Sequence, residues 1–121
     1  MSEQLDILIS PGNWNPEPWV EGLTASPLVG RVHVWPTEAD LSTVEMLLVW
    51  KPLPEGVISR LPRLKLLSSM GAGVDHLLGD PQIPQRLPVM RIVAQYLAID
   101  MTYYVMMSLL IYRRNYHQLR A

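Results

Sequence analysis

The sequence predicts an α/β sandwich, a parallel sheet covered on both faces, and three observations carry that prediction. Apolar runs of strand length recur at 5–10, 31–35, 46–50, 64–70 and 89–93, each ended by Pro, Gly or a polar break. Runs such as MLLVW and LKLLSSM are continuous rather than alternating, as strands buried on both faces are. Between them lie segments with helix and turn signals, the alternation that builds parallel sheets.

In chain order, the first run leads into PGNWNPEPWVEGLTASP, a Pro-rich loop that can hold a helix over residues 17–25, with Pro18 in the first turn, where a missing N–H costs nothing. Residues 57–61 read as a short helix or turn ended by Pro62. GDPQIPQRLP, residues 79–88, holds three prolines and one glycine and reads as an irregular loop. The last segment, 98–119, reads as one long helix, N-capped near Asp100, with Arg113, Arg114 and Arg120 toward its negative end. Met101, Val105, Leu109 and Tyr112 form one apolar stripe, and Met106, Met107, Leu110 and Ile111 extend it around much of the circumference. A helix apolar on several sides needs cover on several sides. A domain this small can supply one, which implies another domain or subunit.

Composition narrows the function classes. With 121 residues, 49% apolar, one domain with a real core is expected. A net charge of −1 gives no global reason to bind nucleic acid or an anionic membrane, although residues 1–55 are acidic and residues 56–121 basic. The absence of cysteine removes disulfide and thiolate chemistry and suits the cytoplasm. MSEQLDILIS lacks the basic region and long apolar core of an export signal, and the apolar stretch 101–112 is shorter than the roughly 20 residues of a bilayer span.

The sharpest local feature is SSMGAGVDH, residues 68–76, a strand running into a glycine-flanked turn and a short helix. Gly71 and Gly73 bring no Cβ where a ligand could approach the backbone, and amides there favour an anion such as a carboxylate. A tight turn with no ligand accounts for the same pattern. It is not a dinucleotide fingerprint: the third glycine of GxGxxG is missing, and no acidic ribose ligand is suitably placed. A second candidate, Trp50-Lys51-Pro52-Leu53-Pro54, follows the third strand and opens on the same sheet edge. An aromatic and a cation there suit a small hydroxy or oxo acid, while a core cap beside a solvated lysine is the plain alternative. His33, His76 and His117 have no metal-ligand spacing, so no metal site is expected. His33 is read as structural; His76 adjoins the glycine turn, where it could touch substrate, and is read first as a surface histidine at a helix start.

LLVWKPLPEGVISRLPRLKLLSSMGAGVDHLL, followed by the proline-rich loop, a strand and MTYYVMMSLLIYRRNYHQLRA, resembles D-2-hydroxyacid dehydrogenases of the glyoxylate/hydroxypyruvate reductase type. The similarity runs from about Val44 onward. It implies a flavodoxin-like substrate-binding domain over 1–97 and an interdomain and dimerisation helix over 98–121, with the Rossmann cofactor domain absent. Backbone amides of Ala72 and Gly73 are then expected to hold the substrate carboxylate, with Trp50 and Met70 as pocket walls. The family's catalytic arginine, acid and histidine map onto no residue here. NADPH or NADH is expected for the intact enzyme and none for this chain, which alone is expected to bind a small 2-oxo or 2-hydroxy acid without turning it over. Tyr103 and Tyr104 stand where the family's terminal helix often has an acid before an aromatic or histidine, and residues 91–96 depart from the usual lead-in.

Two functional readings follow. The first is part of an oxidoreductase that reduces a small 2-oxo acid. The second is a non-enzymatic α/β module forming a homodimer through residues 98–119. A phosphoacceptor regulator is excluded because the third strand ends in Trp50, where an aspartate is needed.

Overall fold

A computed structural model describes residues 3–120. Five strands form one parallel sheet: β1 (Leu5–Ser10), β2 (Val29–Val34), β3 (Val44–Val49), β4 (Leu66–Ser69) and β5 (Val89–Met90), in the order β2-β1-β3-β4-β5. This is the flavodoxin-like order of a doubly wound sheet. The predicted fold class is therefore observed, including the long helix at the end.

Side chains alternate across the sheet and define two cores. Leu8, Leu47, Val49 and Leu67 face one way and pack with Leu41, Leu53, Val57, Leu61 and Leu77 from the connecting segments. Those segments carry a 3-10 turn, Ile58–Arg60, and the short helix α2 (Asp75–Leu78). Ile7, Ile9 and Leu48 face the other way, where α1 (Glu17–Thr24) lays Trp19, Val20 and Leu23 over them. Pro18 lies in the first turn of α1 as its missing N–H requires.

The long helix differs from expectation in its limits and its surroundings. α3 spans Gln95–Arg113, so it starts before residue 98, and Asp100 is an interior residue rather than its cap. Asn115 adopts a left-handed conformation, φ 49°, which ends the helix, and a last turn, α4 (Tyr116–Leu119), follows. Within one chain the helix is left uncovered even on the one side that the domain was expected to supply. None of its residues is buried, and Leu109 and Leu110 are 57% and 58% exposed. No helix is long and apolar enough to cross a membrane among the described residues.

Candidate functional site

The chain leaves β1 toward β2 on one side and returns to β3 on the other, so the switch point of the sheet lies between β1 and β3. Ligands of open α/β sheets bind outside the carboxyl ends of the strands at such a point. The parallel ladder continues one residue past the strands there: the Trp50 amide donates to the Ser10 carbonyl at 2.8 Å, and the Met70 amide to the Val49 carbonyl at 2.8 Å. Trp50 and the 70–73 turn thus stand side by side on one edge, as predicted from their positions after the third and fourth runs.

Trp50 is held by residues that carry little bulk. Gly12, at φ +61°, would place a Cβ 3.2 Å from Trp50 Cδ1 and 3.1 Å from the Lys51 carbonyl. This position therefore needs glycine for both its conformation and its space. A Cβ on Gly71 would come within 3.0 Å of Trp50 Cζ3. Trp14, from the loop after β1, tilts against Trp50 with ring centroids 4.7 Å apart. Gly71 is thus a glycine for the sake of the indole, whereas Gly73 has open space where its Cβ would be. Met70, only 7% exposed, packs with Ile7, Ile9 and Leu48.

The turn is fastened on three sides. The Met70 amide ties it to β3, and the Ile92 amide donates to the Gly71 carbonyl at 3.2 Å from the far side. Within it, the Ser69 hydroxyl accepts from the Gly71 amide at 3.2 Å and donates to the Gly73 carbonyl at 3.0 Å. The amides of Ala72 and Gly73 meet no acceptor among the described residues, and both residues are exposed. Two free backbone donors beside an indole can donate to the two oxygens of one small carboxylate. Trp14, Gly12 and Ser69 were not singled out in the sequence. The Pro-Gly break after β1 marked a loop at the correct edge but not what the loop would touch.

His76 sits in α2, beside a concavity of about 630 Å3 shared with Glu55, Asp75 and Asp80. Burial lowers its pKa, the Lys51 charge lowers it further, and Asp75 opposes both. Its Nε2 is buried and meets no hydrogen-bond partner among the described residues, as is true of His33 Nε2 in β2. His117 lies in α4, and no three His, Asp or Glu side chains are grouped to hold a metal ion among the described residues.

No family model matches the chain. Among curated proteins it is 28% identical over 110 residues to glyoxylate/hydroxypyruvate reductase A of Serratia proteamaculans and 29% identical over 102 residues to that of Yersinia enterocolitica. These alignments cover 87% and 80% of this chain but 34% and 32% of those proteins, so the chain spans about a third of their length. Among solved structures, a D-isomer specific 2-hydroxyacid dehydrogenase of Xanthobacter autotrophicus, crystallised with NADPH and MES, superposes with a TM-score of 0.77 at 28% identity, over 91% of this chain and 36% of that one. A probable 2-hydroxyacid dehydrogenase of Rhizobium etli, in complex with NADP, HEPES and L(+)-tartaric acid, gives 0.75 at 31% identity, over 98% and 39%. An NADPH-dependent glyoxylate/hydroxypyruvate reductase of Sinorhizobium meliloti, in complex with NADP and sulfate, gives 0.69 at 35% identity, over 94% and 36%. By sequence and by fold, the chain is similar to one part of D-2-hydroxyacid dehydrogenases, among them glyoxylate/hydroxypyruvate reductases.

Proposed function

We propose that this chain contributes the substrate-carboxylate loop of an NAD(P)H-dependent reductase of small 2-oxo acids such as glyoxylate or hydroxypyruvate. The observation that carries the reading is the pair of free amides at Ala72 and Gly73, on the carboxyl edge of the sheet and next to Trp50. A planar carboxylate accepts from both amides, with Trp50 bounding the rest of the molecule, while Met70, expected as a second wall, is packed into the core. The S. meliloti relative is in complex with sulfate and the R. etli relative with L(+)-tartaric acid, both of them oxyanions at neutral pH.

A nicotinamide cofactor supplies hydride to the carbonyl carbon in such a reductase. The 71–73 turn does not fit it: the turn has no third glycine, its Gly71 amide is already taken by Ser69, and α2 is a single turn. The 1–97 unit is therefore a binding half-site in this reading, and α3 is the surface that meets further protein, in the first place a second copy of the chain. The alternative reading, a non-enzymatic module paired through its last helix, draws on the same exposure of α3.

Titration of the 15N-labelled chain with glyoxylate or oxalate tests the site. The amide signals of Ala72 and Gly73 are expected to move, with weak affinity. If signals elsewhere shifted while residues 71–74 stayed still, the assignment would be wrong. Turnover separates the two parts of the reading: the purified chain is expected to show no glyoxylate-dependent oxidation of NADPH, because it positions neither a nicotinamide nor a proton donor.

A further inference from the structure

We infer that Ser69 is a positioning residue for the carboxylate-binding turn, one that sets which of its amides stay free; this rests on the carboxylate reading above. Ser69 is the last residue of β4 and only 2% exposed, and its hydroxyl makes no contact that the sheet needs. Instead it spans the turn, accepting from the Gly71 amide and donating to the Gly73 carbonyl. A hydroxyl has one proton to give and lone pairs to receive, so one oxygen serves both ends of the turn at once. The consequence is a division of labour among three successive amides. Gly71 N–H is consumed internally, and the Gly73 carbonyl, which would otherwise repel an approaching anion, is turned onto the Ser69 proton. Of these three, the donors left for a ligand are Ala72 and Gly73, and the Val74 amide beyond them also meets no acceptor among the described residues.

The bracing also fixes Gly71, whose missing Cβ lets Trp50 lie against the turn. Ser69 therefore couples the donors to the aromatic wall, and the ligand class it favours is a small planar carboxylate with two coplanar oxygens. An alanine at this position removes both bonds without adding bulk. Threonine keeps the hydroxyl on a β-branched side chain suited to a strand end.

Oxalate titration of the 15N-labelled chain, Ser69→Ala and Ser69→Thr tests this. Loss of the brace should weaken oxalate binding by about fivefold or more, at least the effect of one of the two lost hydrogen bonds, while Ser69→Thr stays within about twofold of the parent. If oxalate leaves Ala72 and Gly73 unmoved in the parent chain, the carboxylate reading falls and this role with it. If the parent responds and Ser69→Ala binds equally well, the role of Ser69 alone is overturned. Amide exchange in the unaltered chain decides the matter even where Ser69→Ala loses its folded spectrum. After correction for intrinsic rates, Gly71 should exchange at least about tenfold more slowly than Ala72 and Gly73. Equal rates across the three would overturn the proposal.

Discussion

A Cβ on Gly71 would come within 3.0 Å of Trp50 Cζ3, whereas one on Gly73 would meet nothing within 4 Å. Gly71→Ala must displace the indole and is expected to destabilise the chain by about 1–3 kcal/mol, the usual effect of overpacking. Gly73→Val adds bulk only where a ligand would lie. It should leave stability within about 0.5 kcal/mol of the parent and abolish the oxalate response at Ala72. Urea unfolding read beside the titration checks both, and equal destabilisation by the two variants would contradict the packing described. The sequence marked both glycines as ligand-approach positions, because a missing Cβ looks the same whether a ligand or an indole takes the space. His76 gives a second residue-scale expectation. Its folded-state pKa lies below the ordinary histidine value of about 6.5, lowered first by burial and then by the Lys51 charge. Above that value both states are neutral and the group is silent. As pH falls below it the unfolded chain takes up the proton first, so stability declines until the folded pKa is passed. His76→Gln should flatten this decline below about pH 6.5, measured as urea midpoints. An unchanged slope would exclude His76 as its source.

At the scale of elements, the clearest fastening outside the sheet is made by Arg60 in the 3-10 turn. Its guanidinium donates to the Thr37 carbonyl at 2.6 Å and the Ala39 carbonyl at 2.9 Å, and lies 5.3 Å from the Trp35 ring centre. It thereby ties the segment after β2 to the segment after β3. Arg60→Ala should cost about 1–3 kcal/mol, and Arg60→Lys should recover little, since an ammonium cannot make the same planar fork. Denaturant unfolding of the two variants checks this; a full rescue by lysine would show that charge alone matters. The strands were legible because burial on both faces writes continuous apolar runs, and β1 was read to its ends. β5 was read as five residues and has two, since Met90 is its last paired residue and the chain beyond it lies exposed. The start of α3 left no trace, for Ala94 precedes it without a capping side chain, and Asp100 offered a false signal one turn and more inside. Its end at Asn115 is the conformation that residue tolerates best after glycine.

The whole molecule divides into a sheet with two closed cores and a helix that none of them covers. Met106, Met107, Leu109 and Leu110 are each at least 51% exposed, and Met101, Tyr103, Tyr104 and Tyr112 continue the apolar surface around the same helix. The sequence made the apolar circumference plain, but it could not say how much of it the sheet would hide, because that depends on where the chain directs α3 after β5. A contiguous apolar patch of this kind is rarely left in water by a soluble monomer. At about 25 cal/mol per Å2 of apolar area, covering several such side chains contributes several kcal/mol, enough to offset the entropic cost of association. A two-fold pair of helices is the simplest closed arrangement, since each copy then covers the patch of the other. Sedimentation at about micromolar concentration should therefore find a dimer, the range in which an interface worth roughly 8 kcal/mol is half occupied. Leu110→Glu places a charge in that seam while disturbing nothing in the sheet, because Leu110 touches neither core. It should shift the chain to monomer with its strand signals intact. A parent chain that sediments as a monomer with α3 helical, or a Leu110→Glu chain as dimeric as the parent, would rule out this face as the point of pairing.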